Sequence, residues 1–330
     1  MSQSTALILL SSYNGARFIS EQIESIRAQT FRDWRLWIRD DGSSDATKQI
    51  LMKFTSLDHR VAILDDDRGN LGPWASFGLL LSAAMGTDAS YIFLSDQDDV
   101  WIPEKIADQI AALKNAEETH GSSHPVLVHS DLEVVDESLM PLHRSFREFQ
   151  GFSHNPDDPL RTLLIHNGVV GCTVALNRAL LEVALPVPAD SPHDWWLGLC
   201  AAATGTVISM NEPTVRYRQH ASNAVGARAR REFVGRMVRH PLAFVSDSLS
   251  AFGIGVDQSR YLARRMAERG LSAKGQQRAQ QYSQAFGSQS LLSRIKSLRD
   301  SGAKPRRAFG RLSLYVIVAI YPHWAPGSRP

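Results

Sequence analysis

Tyr91-Ile92-Phe93-Leu94-Ser95-Asp96-Gln97-Asp98-Asp99-Val100-Trp101 is the stretch on which the fold turns. It opens with an unbroken apolar run, the pattern of a strand covered on both faces. The run stops in three carboxylates within four residues. A strand that delivers acids at its C-terminal end places them on the rim of an open α/β sheet, where such folds bind ligands. Acids this close repel one another. Two readings answer the repulsion: a hard divalent cation shared with substrate phosphates, or a polar loop that caps the helix following Pro103.

Working outward, the same pattern recurs. Thr5 to Ser11 reads as a buried strand, followed by the turn Ser12-Tyr13-Asn14-Gly15 and a helix carrying Phe18, Ile19, Ile23 and Ile26. Trp34 to Arg39 is a second strand, ending in Asp40-Asp41-Gly42-Ser43-Ser44-Asp45, with Ser44 or Asp45 placed to cap the next helix. Val61 to Leu64 is a third strand, and Asn70-Leu71-Gly72 positions the helix after it. Alternating strands and helices predict an α/β fold with a mostly parallel open sheet flanked by helices. Polar ends on successive strands put Ser11, Tyr13, Asp40, Asp41 and Asp96 on one edge.

Beyond Trp101 the pattern predicts a helix over 103–116, short strands over 126–129 and 132–135, a loop without period over 140–159, a helix over 160–165 and a strand over 171–176. A helix over 197–203 follows, then strands over 207–210 and 214–217. From Arg228 the texture changes to Arg, Gln, Ser and Ala with apolar residues at helical spacing. Two domains are expected, 1–225 and a basic helical region, 226–330.

The chain has 330 residues and a net charge of +2, which hides an asymmetry. Residues 228–330 hold 19 Lys+Arg and 5 Asp+Glu, against 17 and 29 in residues 1–227. A basic tail on an acidic body suits an anionic surface. Lys304-Pro305-Arg306-Arg307 precedes ten mostly apolar residues, Leu312 to Tyr321. That run is too short for a membrane span, which takes ~20 residues, and suits lying in the membrane interface with Tyr315, Tyr321 and Trp324 near the headgroups. Nucleic acid is not expected as a partner, because the tail's aromatics are not interleaved as a stacking platform. Two cysteines, Cys172 and Cys200, make neither a disulfide framework nor a zinc site. Residues 1–13 lack a basic n-region, so a signal peptide is not expected and a cytoplasmic location is.

Ser11-Ser12-Tyr13-Asn14, Asp40 to Asp45, Asp96-Gln97-Asp98-Asp99 and His193-Asp194 occur in the order seen in inverting family-two glycosyltransferases of the GT-A fold, which residues 5–225 resemble. The ending Tyr217-Arg218-Gln219-His220-Ala221-Ser222-Asn223 is similar to the bacterial rhamnosyltransferase-like branch. The resemblance implies a dTDP- or UDP-sugar donor, a saccharide or lipid-linked saccharide acceptor at the inner membrane face, and Mg2+ or Mn2+ as cofactor. It makes Asp98 the metal ligand and Asp96 a contact to ribose or metal. Asp40 and Asp41 would read the base, with Tyr13 stacking on it and Ser11 bonding it. His220 would reach the metal or diphosphate, a role open also to Arg216 and Arg218.

By the same resemblance Asp194 is the general base, and Asp99, Gly171, Cys172 and Trp195 lie on the acceptor side. Asp99 equally suits a helix cap. One departure stands out: many members have Glu-Asp where this chain has His193-Asp194. The chemistry is coherent, since a cation neutralises charge that develops on a leaving diphosphate and one base suffices for one displacement. Two rivals share features of this reading. A sugar-nucleotide nucleotidyltransferase would need a Gly- and Arg/Lys-rich turn after the first strand, where this chain has Ser-Ser-Tyr-Asn-Gly-Ala-Arg. A non-catalytic nucleotide-sugar-binding or scaffold protein would have no use for both Asp98 and Asp194.

Overall fold

A computed structural model describes residues 6–150, 158–220, 239, 241–287, 290–305 and 309–321. The chain divides into two compact units: Met1–Phe149, Val169–Leu197 and Gly205–Ala227 form the first, and Gln150–Gly168, Gly198–Thr204 and Arg228–Pro330 the second. Two short segments inside the stretch 1–225 therefore group with the C-terminal helices.

The first unit is built on one sheet of strands β1 (Ala6–Ser12), β2 (Trp34–Asp40), β3 (Val61–Ile63), β4 (Tyr91–Ser95), β5 (Val100–Trp101), β6 (Val126–Val135), β7 (Pro141–His143), β8 (Ala175–Asn177) and β9 (Thr206–Arg218). Their order is β3-β2-β1-β4-β8-β6-β9-β5, with β7 beside β6. The first four are parallel. β8 enters antiparallel between β4 and β6, and β9 runs parallel to β6. Helices α1 (Ile19–Arg27), α2 (Thr47–Leu57), α3 (Pro73–Ala84), α4 (Lys105–His120), α5 (Phe146–Gln150), α7 (Arg178–Ala184) and the start of α8 (His193–Thr204) belong to this unit; α6 (Pro159–Leu163) belongs to the second.

Ala6 to Leu10 are 0% exposed, so both faces of β1 are covered, which is why its apolar run does not alternate. Ile19, Ile23 and Ile26 turn one stripe of α1 onto the core. The side-chain cap expected of Ser44 or Asp45 is not formed, since Ala46 takes the N-cap position of α2; Asp45 Oδ1, one residue earlier, accepts from Thr47 N at 3.0 Å. Asn177 caps α7 by accepting from Leu180 N.

Several expectations are corrected here. Residues 126–135 are one strand whose register shifts around Asp131, rather than two. The Asp131 carboxylate takes Leu132 N, Arg147 N and Ser145 Oγ, so it anchors β7 and α5 within the stretch read as a loop. Gly171–Thr173 is a 3-10 turn and the strand begins only at Ala175, because Val174 N folds back onto Gly171 O at 2.9 Å. Residues 206–218 form a single strand that follows β6 along its length.

The second unit contains α6, α9 (Pro241–Glu268), α10 (Ala273–Gln284), α11 (Leu291–Ser301) and α12 (Phe309–Ile320). Tyr282, Phe286 and Tyr321 form an aromatic chain with centroid spacings of 5.1 and 5.3 Å. Tyr321 is thus a core residue, 8% exposed, and not an interface anchor. On α12, Leu314 and Val318 are buried one turn apart while Tyr315 and Val316 are exposed. Trp324, Arg306 and Arg307 lie outside the described residues. No described helix is long and apolar enough to cross a membrane.

Candidate active site

The parallel register aligns the C-terminal ends of three strands. Ser12 pairs with Asp40 across β1 and β2, and Leu10 with Ser95 across β1 and β4. Asp40, Asp96 and the turn at Tyr13 therefore share one rim.

At the β1–β2 end the polar groups are mutually bound. Asp40 accepts from Ser12 Oγ (3.3 Å), Ser43 N (3.0 Å) and Ser43 Oγ. Asp41 is 2% exposed, and its two oxygens take Leu71 N (2.8 Å) and Gly72 N (2.9 Å). Arg39, fully buried, donates to Asp41, Asp66, Ser76 Oγ and Gly69 O. Ser76 Oγ in turn meets Ser11 Oγ at 2.7 Å. Asp41 is thus corrected from base reader to clamp for the loop before α3, because its carboxylate is buried and already occupied. Ser11 is engaged in the same network. Tyr13 keeps its side chain 48% exposed, free to stack.

Gln97 links this end to the acids. Its amide pairs with both backbone groups of Tyr13, accepting from N at 2.9 Å and donating to O at 3.0 Å. The latch needs glycine at position 15, where a Cβ would come within 2.1 Å of Gln97 Oε1. Nothing in the sequence marks a role for Gln97 of its own within Asp96-Gln97-Asp98-Asp99.

At the β4 end the acids converge. Burial, then the charges of Asp98 and Asp194, push Asp96 up to about 7. Asp98 Oδ2 lies 2.9 Å from His220 Nε2, and the His220 ring rests 4.8 Å from Phe18. Arg218, 1% exposed, donates to Asp98 O (2.8 Å), Glu137 O and Glu21 (2.7 Å). It holds the acidic loop and does not serve phosphate; Arg216 pairs with Glu133 at 3.3 Å.

Asp99 is 0% exposed, with Arg218 N on Oδ1 and the Cys172 thiol as its side-chain partner. Burial and the nearby acids drive its carboxyl well above the usual range. It neither caps α4, which has no side-chain cap, nor faces an acceptor. Asp194 lies in the first turn of α8, half-buried, and Asp96 feels its charge. Gly171 borders Asp194, whereas Cys172 and Trp195 are buried at 0% and 6% exposure, which removes them from an acceptor surface.

The donor set distinguishes two metal readings. Ligand-capable atoms of Asp96, Asp99 and Cys172 lie within 4.8 Å of one another. Burial raises the Cys172 thiol well above its ordinary pKa, and a protonated thiol is no ligand for a hard cation. Asp96 and Asp98, half-buried and offering oxygen alone, fit Mg2+ or Mn2+, which need only one or two carboxylates.

The family model described as Glycosyl transferase family 2 matches residues 7–180, which include Tyr13, Asp40, Asp96 and Asp98 but not Asp194 or His220. The chain belongs to that family. It is a glycosyltransferase with the GT-A fold. An uncharacterized glycosyltransferase of Nostoc sp. is 26% identical over 272 residues, covering 77% of this chain and 79% of the relative. The UDP-Glc:alpha-D-GlcNAc-diphosphoundecaprenol beta-1,3-glucosyltransferase WfgD of Escherichia coli is 25% identical over 262 residues, covering 77% and 94%. Residues 1–349 of S. aureus TarS in complex with UDP-GlcNAc share the fold at a TM-score of 0.51, with 14% identity over 90% of this chain and 89% of that one.

Proposed function

We propose that this family-two enzyme transfers a sugar, with inversion, from a UDP- or dTDP-sugar to a lipid-linked saccharide in surface polysaccharide synthesis. The observation that carries the reading is the convergence of Asp96, Asp98 and Asp194 on one rim with Asp40 and Tyr13. Tyr13 supplies a stacking face for the base, and Asp40, hydrogen-bonded to the adjacent Ser12, is the carboxylate that reads it. Asp98 and Asp96 hold the divalent cation. When bound, the cation neutralises charge on the leaving diphosphate. Asp194 takes the proton from the attacking acceptor hydroxyl.

The lipid-linked acceptor is supported by the name of WfgD, which specifies a diphosphoundecaprenol-linked sugar. Docking at the cytoplasmic membrane face is supported by the basic tail and by exposed Leu291, Leu292, Tyr315 and Val316 in the helical unit. The ending at 217–223 puts dTDP-rhamnose beside UDP-glucose and UDP-N-acetylglucosamine in a donor screen.

The test is turnover of those donors with Mn2+, with EDTA, and with Asp98→Ala. Activity is expected only for wild type with metal. Full activity of Asp98→Ala in EDTA would sink the metal assignment.

A further inference from the structure

A diphosphate entering this rim meets the acids Asp40, Asp96 and Asp98. Arg218 is buried against the acidic loop and Arg216 pairs with Glu133, so neither is available to it. Another guanidinium stands beside the same acids. The turn after β1 runs on to Arg17, whose side chain is 65% exposed and donates to Glu137 Oε2 at 2.5 Å.

Glu137 lies in the turn between β6 and β7, and that turn is fixed. The Asp136 carboxylate closes it by accepting from Ser138 N and Met140 N, at 2.8 and 2.9 Å. Arg218 then binds two carbonyls with one guanidinium, donating from Nε to Asp98 O and from Nη1 to Glu137 O. A guanidinium is a small, rigid fork, so the turn is pinned against the acidic loop. From the other side, the Arg17 guanidinium lies 4.8 Å from the Phe18 ring centroid, and the same ring packs on His220, which holds Asp98. Two separate chains of contact thus put the Arg17–Glu137 pair at the Asp98 end of the rim.

Arg39 and Asp41 form a buried pair, whereas Arg17 and Glu137 are both open to water. Solvent screens such a contact, so it contributes little and exchanges readily. A guanidinium grips phosphate oxygens as it grips a carboxylate. Glu137 therefore has the chemistry of a stand-in for phosphate.

We propose that Arg17 binds the donor diphosphate and that Glu137 is its built-in competitor: the guanidinium leaves the carboxylate when the nucleotide enters and returns to it when the product diphosphate leaves. The inference rests on the reading of this rim as a nucleotide-sugar site and adds a regulating acid to it. Taking the guanidinium back loosens the hold on the product.

The experiment measures binding of UDP, dTDP and their monophosphates to the full chain with Mn2+ by calorimetry. Arg17→Gln is expected to weaken the diphosphate about tenfold and the monophosphate far less. Glu137→Gln keeps the side chain's shape, removes its charge and should tighten the diphosphate about two- to fivefold. In the Arg17→Gln background it should add nothing; the same gain there marks plain charge repulsion and overturns the competition. If the pair only ties the two turns together, both single variants lose one bridge and shift affinity in the same direction, which overturns the proposal. So does unchanged diphosphate affinity in Arg17→Gln, or an equal loss on the monophosphate. Wild type that binds neither diphosphate fails earlier, at the nucleotide-sugar reading itself, and takes the inference with it.

Discussion

At the β1–β2 end of the rim, Asp40 and Asp41 hold hydrogen bonds through both oxygens and a buried Arg39 ties their loops together. At the β4 end, Asp96 is driven up by burial and like charge, and the buried Asp99 carboxyl is driven up likewise. The first arrangement is complete without substrate and stays in shape while the nucleotide comes and goes. The second carries unfavourable electrostatics that a bound cation would relieve on the proposed reading.

The largest effect should come from the unsatisfied end. Asp194→Asn is expected to cut transfer by about two to four orders of magnitude while UDP still raises the melting temperature. Unchanged kcat would erase the contrast between the two ends. At the satisfied end the cost should fall on stability instead. Arg39→Met leaves the buried Asp41 without its cation and Asp66 with Arg68 alone, and should destabilise by about 3–5 kcal/mol in urea unfolding; a stable variant would show that the network is dispensable.

Titration should split the ends by sign. Arg68, then Arg39, hold Asp66 at about 2. A depressed carboxyl contributes stability that is present above the unfolded value of about 3.8 and lost as pH falls through about 2. Asp96 is opposite: in metal-free enzyme the folded state keeps a proton that the unfolded chain has lost between about 3.8 and about 7, so stability falls as pH rises through that window. Urea midpoints in EDTA, for wild type, Asp66→Asn and Asp96→Asn, check both slopes; slopes of one sign would refute the division. The smallest effect joins the ends. Gln97→Ala removes two partly exposed hydrogen bonds and should raise the donor KM a few-fold, with kcat little altered.

Much of the donor half was legible in the sequence. Continuous apolar runs in β1 and β4 read as buried strands, and the acidic ends of β2 and β4 then fall on one rim. The clamp role of Asp41 was not legible, because adjacent carboxylates look alike until the backbone turns one inward. The two-ended latch of Gln97 depends on Tyr13, 84 residues away. Tyr321 looked like a membrane anchor by composition, and only the packing on Phe286 shows it as core. The single long strand β9 was hidden because polar Asn211-Glu212-Pro213 interrupts its apolar pattern while its pairing with β6 continues.

The direction of β8 has a consequence for how such an enzyme changes. An antiparallel neighbour begins where β4 ends: Phe93 faces Ala175, and Leu94 N donates to Val174 O. The turn at Gly171 is thereby delivered to the rim by a segment some eighty residues downstream of the metal acids. The two halves of the site are written in separate stretches of chain. On the proposed reading, substitutions in 169–197 would alter the acceptor side while the β1–β2 end, encoded before residue 100, keeps its own internal bonding.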